Sequence, residues 1–246
     1  MAKLISLNVE GKKHYDLILP FISQEKPDVL ALMEATRETE SWLQNQGYQT
    51  TYAPITLKSD DGANYEIGLL FASQHLHTAV THYYHYPNPE GMVLADRNNI
   101  YNTVANPVIL AKVKELGINV ATTHFTWSPQ GEVADLNQTT SLKALLTFLK
   151  NQSPHILCGD FNIPRFQNSL YDELTKYYTD TIPKDYASSL DRERHRLGNI
   201  PTHNNLFKSF MVDYLFTQPP YKASNVRLQF GVSDHAAVLA DINIAG

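Results

Sequence analysis

Residues 156–162 read ILCGDFN, an apolar run that ends abruptly in a carboxylate and an amide. A run without polar alternation is typical of a strand that is covered on both faces of its sheet. A polar group buried at the end of such a strand costs about 1–3 kcal/mol when it has no partner. Taken alone, Asp160 and Asn162 are interpreted as turn-forming residues that follow the strand.

Five further apolar runs end in, or lead to, a polar residue of the same kind. Each has an ordinary structural interpretation, because Asn and Asp form turns, Glu begins helices, and a lone His is commonly a hydrogen-bonded core residue. Together, the six ends are explained more economically if their polar groups meet each other or a cation. The polar residues at the other five ends are Asn8, Glu34, His124, Asp213 and the adjacent Asp234 and His235.

Short apolar runs interleaved with helical patterns predict one layered α/β domain over residues 1–246. No Gly/Ser or Pro linker divides the chain. Helices are predicted at 15–25, 36–46, 139–151 and 168–178. Strands are predicted at 3–7, 29–33, 67–72, 107–113, 119–124, 155–158, 212–216 and 237–242.

The composition is that of an ordinary globular protein, with 43% apolar and 18% charged residues. Cys158 is the one cysteine, so no internal disulfide can form, and the pattern suits a reducing compartment. No apolar run approaches ~18 residues and the first residues lack a secretory signal, so we expect a cytoplasmic protein without a membrane span. A formal net charge of −5 disfavours a protein that coats nucleic acid non-specifically, but it allows a local basic groove.

Taken in order along the chain, these segments resemble the endonuclease/exonuclease/phosphatase superfamily of DNase I-like, metal-dependent phosphoesterases. The most specific matches are Gly-Asp-Phe-Asn at 159–162 and Ser-Asp-His at 233–235, and PDVLALME at 27–34 strengthens them. The resemblance implies a four-layer α/β/β/α sandwich with two packed mixed β-sheets, and a site at one end where loops from both sheets meet. The other matching segments are Leu7-Asn8, IGLL at 67–70, Thr123-His124 and VDYLF at 212–216.

The resemblance also implies a divalent cation, Mg²⁺ or Mn²⁺, which hard oxygen ligands select. Glu34 is the expected primary ligand, with Asn8 beside it, directly or through water. Asp234 is expected to bind a second cation or to orient the nucleophile. Hydrolysis needs such a cation because a phosphodiester is negatively charged and repels an anionic nucleophile.

By the same resemblance, the remaining polar residues take catalytic roles. Asp160 positions or deprotonates the attacking water, and Asn162 holds a phosphate oxygen, on the same side as Asp160 if the strand continues through both. His235 contacts the phosphate and pairs with Asp213, which fixes its tautomer and raises its pKa. His124 protonates the leaving group or stabilises the pentacovalent phosphate.

Several further residues have two interpretations each. Glu66 either orients His124 or is an exposed charge at a strand edge. Trp127 either stacks on a base or an apolar group, or packs its own loop. A group of three arginines forms either a solvated loop or a rim that contacts the phosphates of a polyanionic substrate. These are Arg192, Arg194 and Arg196.

Four histidines cluster between residues 75 and 85, and a zinc site is one interpretation of this cluster. No cysteine or spaced acidic partner supports zinc, so we favour a surface hairpin. The four residues are His75, His77, His82 and His85.

The predicted function is that of an endonuclease-like phosphodiester hydrolase that cleaves P–O bonds of nucleic acid by attack of a metal-activated water. The sequence lacks a Lys two residues after Glu34 and a Pro after the Ser-Asp-His segment, so specific abasic-site repair is not expected. The alternative is a phosphatase or phosphodiesterase of a small phosphorylated metabolite or a lipid headgroup. A non-catalytic binding module on the same scaffold is a third hypothesis, and the sequence indicates no protein partner.

Overall fold

The computed structural model describes residues 1–60, 62–88, 90–129 and 131–245. Its strands form two six-stranded β-sheets. The strands are β1 (Ala2–Asn8), β2 (Val29–Ala35), β3 (Gln49–Asp60), β4 (Ala63–Ser73), β5 (His77–His85), β6 (Asn106–Val113), β7 (Ile118–His124), β8 (Ile156–Asp160), β9 (Thr179–Asp180), β10 (Asp213–Thr217), β11 (Tyr221–Gln229) and β12 (Ala237–Ile244). The helices are α1 (Tyr15–Glu25), α2 (Arg37–Asn45), α3 (Leu136–Leu149), α4 (Leu170–Thr175) and α5 (Leu206–Ser209), with 3₁₀ turns at Arg97–Asn102 and Pro201–His203.

The two sheets share one topology. The first has the strand order β11-β12-β1-β2-β4-β3, and the second has the order β5-β6-β7-β8-β10-β9. A parallel pair, β1–β2 or β7–β8, lies at the centre of each sheet, and antiparallel strands flank it. The partners of each pair are connected through a helix, α1 or α3, because parallel strands enter the sheet from the same end and need a crossover.

Apolar residues divide between the two faces of the first sheet. Leu4 of β1 belongs to the core between the sheets, whereas its neighbour Ile5 packs with Ile18 and Ile22 of α1 on the outer face. Leu43 of α2 lies in that outer core, and α3 packs against β5 of the second sheet. Strands covered on both faces are apolar throughout, since successive side chains point in opposite directions. The predicted four-layer α/β/β/α sandwich with two mixed sheets is confirmed.

The eight predicted strands and four predicted helices are all present, with boundaries that differ by a few residues. Helix α3 begins earlier than its apolar pattern indicates, because Asp135 caps it by accepting a hydrogen bond of 2.7 Å from the Gln138 N–H. The sequence patterns do not predict β3, β5, β9 or β11, which are the four edge strands of the two sheets. No helix among the described residues has the length and apolar character needed to cross a membrane.

The histidine-rich segment is not the surface hairpin that its pattern favours. β4 belongs to the first sheet and β5 to the second, so the chain between them crosses from one sheet to the other. His77 is buried with its ring edge-on to Phe71, and the Nδ1 atom of His75 lies 2.7 Å from Glu115 Oε2. The segment is therefore an edge strand and the connection that precedes it.

The strand ends that carry the predicted site residues lie at one edge of the sandwich. The parallel strands β1, β2, β7 and β8 end there, and the antiparallel strands β10 and β12 begin there. In the second sheet the register places His124 and Asp213 opposite Asp160 from its two sides. Parallel strands align their carboxyl ends at one edge of a sheet, and this brings together residues that are far apart in the chain.

Gly159 allows the central strand of the second sheet to reach this edge. Its φ of +142° is a conformation that is essentially confined to glycine. A Cβ atom at this position would lie 1.9 Å from the carbonyl oxygen of Thr123 on the neighbouring strand. A side chain would therefore separate β8 from β7 and displace the next residue, Asp160.

We expect Gly159→Ala to destabilise the protein by at least about 3 kcal/mol, because backbone strain and a backbone clash act together. Urea unfolding followed by circular dichroism measures the loss. Gly47→Ala is the matched control, since Gly47 has a φ of +90° but a Cβ there would meet nothing within 4 Å. Strain alone should cost the control about 1–2 kcal/mol, and equal losses in both variants would contradict the steric account.

His155 lies just before β8, at the end of the strand remote from Asp160, and is buried. Its Nε2 atom lies 2.8 Å from the Tyr178 hydroxyl, and its Nδ1 atom lies 2.9 Å from the Ser153 carbonyl oxygen. Burial lowers the pKa of this imidazole, against the opposing effect of the Ser153 carbonyl. Folding therefore favours the neutral form of His155.

The free energy of unfolding should consequently decrease as the pH is lowered below about 6.5. In that range the unfolded chain binds a proton at residue 155 that the folded chain does not. The stabilising contribution of neutral His155 is fully present above that pH and is lost as the pH decreases towards the lowered pKa of His155 in the folded state. We expect His155→Gln to reduce the slope of unfolding free energy against pH between about pH 5 and 7. Urea midpoints at several pH values measure this slope, and a slope equal to that of the wild type would contradict the assignment.

Candidate active site

Asp160 lies at the centre of the polar strand ends and is 1% exposed. Its Oδ2 atom lies 3.1 Å from Asn8 Nδ2, 3.6 Å from His124 Nε2 and 3.8 Å from His235 Nδ1. Its Oδ1 atom accepts a hydrogen bond of 2.9 Å from the Asn162 backbone N–H. A buried carboxylate is stable only with such partners. Four of the predicted site residues therefore meet around the carboxylate of a fifth, Asp160.

Asn8 links the two sheets at this edge. It ends β1 of the first sheet, and its side-chain amide donates to Asp160 at the end of β8 in the second. Its Oδ1 atom accepts a hydrogen bond of 3.2 Å from the Glu10 backbone N–H, which fixes the orientation of the amide. The side chain is buried between the sheets, so the contact aligns their edges.

His235 and Asp213 form a second buried contact, with 2.7 Å between His235 Nδ1 and Asp213 Oδ2. Burial opposes a charge on the imidazole, but the carboxylates of Asp213 and Asp160 outweigh it and raise the pKa of His235 well above its usual range. The contact makes Nδ1 the donor to Asp213, so Nε2 is the ring nitrogen that can face a ligand. The two side chains that the sequence analysis pairs are therefore in contact.

Glu34 is placed by an unusual backbone. Its φ is +57°, and the register of β2 against β4 shifts around it, as expected for a β-bulge that redirects a side chain. Its carboxylate forms an ion pair with Lys58 of β3. Burial opposes ionisation of Glu34, but Lys58, with His124 and His235, outweighs it and lowers the pKa to about 2. Glu34 is therefore an anion in contact with one cationic side chain.

Among the described residues, two groups of three side chains have ligand atoms within 4.8 Å of one another, as a shared metal ion requires. Both groups combine carboxylates with an imidazole, and Glu34 belongs to neither. The first group consists of Asp160, Asp213 and His235, and the second consists of Glu10, His14 and Asp234.

The second group carries an excess of negative charge. Burial raises the pKa of the Asp234 carboxyl to about 7; His235 opposes this shift, and Glu10 and Glu34 add to it. In the same group His14 Nε2 lies 3.1 Å from Glu10 Oε2. A cation bound beside Asp234 would relieve the repulsion between these carboxylates.

Asn162 does not share a strand face with Asp160. β8 ends at Asp160, and Asn162 has a φ of +51°, so the chain turns out of the sheet between them. The Asn162 Nδ2 atom donates a hydrogen bond of 3.0 Å to the Phe125 carbonyl, and the Asn162 carbonyl accepts one of 3.1 Å from Gln138 Nε2. The condition for a shared face, a strand that continues through both residues, is therefore not met, while the contact of Asn162 with a phosphate oxygen stays a prediction.

Glu66 is paired with an arginine rather than with His124. Its Oε1 atom accepts a hydrogen bond of 2.9 Å from Arg37 Nε, and Arg37 also contacts Glu40 at 2.9 Å. The Arg37 guanidinium lies over the ring of Tyr52, 3.9 Å from its centroid. The interpretation of Glu66 as the residue that orients His124 is therefore wrong, because its charge is neutralised on the outer side of β4.

The arginine group lies on the loop between β9 and β10. Arg192 donates a hydrogen bond of 2.7 Å to Asn204 Oδ1 and lies over the ring of Phe207, so it is tied to its own loop. The guanidinium groups of Arg194 and Arg196 are exposed and form no hydrogen bond or ion pair with any residue that the structure describes. Two of the three arginines are thus available to a ligand.

A further arginine lies within electrostatic reach of Arg196 and of Glu34. Arg97 begins the 3₁₀ turn that follows a segment bonded to β3, where the Ala95 N–H donates to the Leu57 carbonyl at 2.9 Å. Burial lowers the pKa of Arg97, and the charge of Arg196 lowers it further, whereas Glu34 raises it. Trp127, on the loop after β7, is 41% exposed.

The sequence reasoning misses three charged residues of this site: Lys58, Glu10 and His14. Glu10 lies two residues after Asn8, a spacing that keeps side chains on one face of an extended chain, and His14 lies four residues further on. This spacing is a weak signal that could have been used. Lys58 carries no comparable signal, because it lies near the end of a partly exposed edge strand.

The arrangement combines the buried Asp160 carboxylate with two neighbouring imidazoles and a surplus of further carboxylates. Lys13 and Lys58 each pair with one of these carboxylates. An excess of negative charge at a partly enclosed site favours the binding of cations. The carboxylates are those of Glu10, Glu34, Asp160, Asp213 and Asp234.

Several solved structures share this fold at low sequence identity. The catalytic domain of human Nocturnin with a bound sulfate anion is 17% identical, with a TM-score of 0.69 over 99% of this chain and 93% of that chain. TDP2 of D. rerio, complexed with a single-strand DNA product, is 15% identical, with a TM-score of 0.67 over 98% of each chain. A mannosyl-6-phosphatase of Bacteroides thetaiotaomicron is 14% identical, with a TM-score of 0.65 over 99% of this chain and 100% of that chain.

Similarity at these identities shows the fold alone, and no curated protein sequence matches the chain significantly. The sequence profile of the Endonuclease/Exonuclease/phosphatase family, however, matches residues 5–235. The match runs from β1 to His235 and so includes all six strand ends around Asp160. The chain therefore belongs to the endonuclease/exonuclease/phosphatase family.

Proposed function

We propose that this chain is a divalent-metal-dependent phosphoester hydrolase that cleaves phosphodiesters of nucleic acid in an endonuclease-like manner. The observation that carries the proposal is the meeting of Asp160 with Asn8, His124 and His235 at one edge of the sandwich. A buried carboxylate beside two imidazoles places a proton acceptor next to proton donors. Membership of the family supports the same class of reaction.

The donor set fits Mg²⁺ or Mn²⁺, because carboxylate and amide oxygens are the hard ligands that these ions select. We assign Glu34, which is anionic with a pKa of about 2, and Asn8 to a first cation, directly or through water. We assign Asp234 to a second position, beside Glu10, where the negative charge is least compensated. A bound divalent cation supplies charge neutralisation to the phosphoryl group and its leaving oxygen.

Different side chains of the protein then carry out the separate proton transfers. Asp160 accepts a proton from the attacking water, whose oxygen forms the new bond to phosphorus as the bond to the leaving oxygen breaks. His124, near Asp160, gives a proton to that leaving oxygen. His235, held by Asp213, donates from Nε2 to a phosphate oxygen, and we assign the Asn162 side chain to another. Each donor stabilises charge that increases in the transition state.

The rim of the site favours a polyanionic substrate. Arg97 brings positive charge near Glu34 and Glu10, and the exposed Arg196 lies close enough to Arg97 to lower its pKa. Trp127 offers an exposed ring on which a base can stack. TDP2 bound to a single-strand DNA product supports this class of substrate. The mannosyl-6-phosphatase supports the alternative, a phosphatase of a small phosphorylated metabolite, which the assays below distinguish.

Plasmid nicking and the turnover of bis-p-nitrophenyl phosphate and p-nitrophenyl phosphate, each with Mg²⁺, Mn²⁺ or chelator, test the proposal. We expect nicking and diester turnover with a metal, none with chelator, and a loss of about 10³-fold in kcat for Asp160→Asn, the size of a missing general base. Asp241→Asn, on β12, is the matched control and should keep wild-type rates. Monoester turnover without nicking favours the metabolite phosphatase, and a folded protein without any turnover contradicts both.

Lys58→Met tests the assignment of Glu34 to the cation. Removing the ammonium leaves a carboxylate without its partner, so we expect the protein to lose about 1–3 kcal/mol of stability in chelator. Mn²⁺ should raise the Tm of Lys58→Met by more than it raises that of the wild type, because the ion restores the missing positive charge.

Two variants control this experiment. Lys176→Met removes the exposed partner of Glu173 and should respond to Mn²⁺ as the wild type does. Glu34→Gln in the Lys58→Met background should abolish the additional Tm increase. Equal Mn²⁺ shifts in the wild type and in Lys58→Met would rule out Glu34 as a ligand.

A further inference from the structure

Ser189 makes a fully buried set of hydrogen bonds beside the candidate active site. Its Oγ atom donates to Asp213 Oδ2 at 2.6 Å, and it accepts from the backbone N–H groups of Val212 and Asp213, both at 3.1 Å. A hydroxyl group has one proton to donate and two lone pairs to accept with. Because two N–H groups occupy the lone pairs, the hydroxyl proton is directed at the Asp213 carboxylate.

The oxygen that Ser189 contacts is the same one that holds His235. Asp213 Oδ2 accepts from Ser189 Oγ at 2.6 Å and lies 2.7 Å from His235 Nδ1. Asp213 Oδ1 is buried and has no hydrogen-bond partner among the described residues. Both donors therefore act on one oxygen, and together they set the rotation of the carboxylate group. Without the hydroxyl, His235 would be the one side chain that orients Asp213.

The backbone of Ser189 also joins the two segments that lead into β10 and β12. Its N–H donates to the Phe210 carbonyl at 3.1 Å, shortly before β10, and its carbonyl accepts from the Ala236 N–H at 2.8 Å, just before β12. The next residue, Leu190, forms a β-bridge with His235. β10 and β12 belong to different sheets, so Ser189 connects Asp213, at the start of β10, with His235, just before β12.

We propose that Ser189 is a positioning residue, which acts through its hydroxyl group to hold Asp213 and His235 in the orientation that phosphoester hydrolysis requires. The inference rests on the proposed function for its effect on catalysis. Its physical content, the orientation of the Asp213–His235 pair, does not depend on the substrate.

Ser188 provides a matched control one residue away. It is buried, and its Oγ atom lies within hydrogen-bond distance of the Leu206 and Phe210 carbonyls, at 3.0 and 3.1 Å, and accepts from the Leu190 N–H at 3.1 Å. Ser188 thus has as many hydroxyl contacts as Ser189 in the same loop, but none of them reaches a site residue. A purely structural role for Ser189 would give the two alanine variants similar properties.

The test measures kcat, KM and Tm for Ser189→Ala, Ser188→Ala and Ser189→Thr with bis-p-nitrophenyl phosphate. We expect Ser189→Ala to lower kcat by about 10- to 100-fold, the range for partners that orient a functional group, with KM within about twofold of the wild type. Ser188→Ala should keep the wild-type kcat, and Ser189→Thr, which keeps a hydroxyl, should restore most of the loss. A kcat for Ser189→Ala equal to that of Ser188→Ala would overturn the proposal.

A second readout does not need turnover. In chelator and without substrate, the His235 Nδ1 proton should give a downfield ¹H NMR resonance, identified by its absence in His235→Gln. We expect this resonance to shift or broaden in Ser189→Ala and to stay unchanged in Ser188→Ala. An unchanged resonance in Ser189→Ala would overturn the proposal even if Ser189→Thr does not fold. A shifted resonance in a protein that hydrolyses no phosphoester would support the positioning contact while the proposed function fails.

Discussion

The Asn8 amide donates a hydrogen bond to Asp160 across the interface between two sheets that are not joined by a common ladder. Apolar packing between sheets is non-directional and sets no register by itself. A directional bond between buried polar groups does set one, because a shift would leave both groups without partners. The positions of His124 and Asp213 follow, since the strand register fixes each of them opposite Asp160. One polar contact therefore ties the alignment of the sandwich to the geometry of the site.

Charge is distributed unevenly around this contact. His235 lies between the carboxylates of Asp213 and Asp160, while Glu34 has Lys58 as its partner. Asp234, beside Glu10, has no comparable cation among the described residues, and the raised pKa of its carboxyl follows from burial and from this negative surrounding. The site thus has one well-compensated side and one that attracts cations.

The central strands and their polar ends are predictable from sequence, because both faces of each strand are buried and each apolar run ends at a polar residue of the site. The four edge strands are not predictable in this way, since exposure on one side places polar residues within the apolar pattern of each strand. Lys58 lies on such an edge, and its pairing with Glu34 depends on a bulge and a left-handed residue that no local pattern indicates. Glu66 fails for a similar reason, because Arg37, distant in sequence, neutralises it. Long-range pairings between side chains are set by tertiary packing alone.

Each sheet supplies half of the site, and the repeated topology has a mechanical consequence. A slip of one sheet along the other by a single residue would move the strand ends by about 3.3 Å. That distance exceeds the tolerance of any hydrogen bond between them. Some conditions weaken the packing between the two sheets but leave the hydrogen bonds within each sheet intact. Such conditions will therefore separate the site residues of one sheet from those of the other, and activity will be lost before the secondary structure is. The geometry of the site therefore depends directly on the alignment of the two sheets.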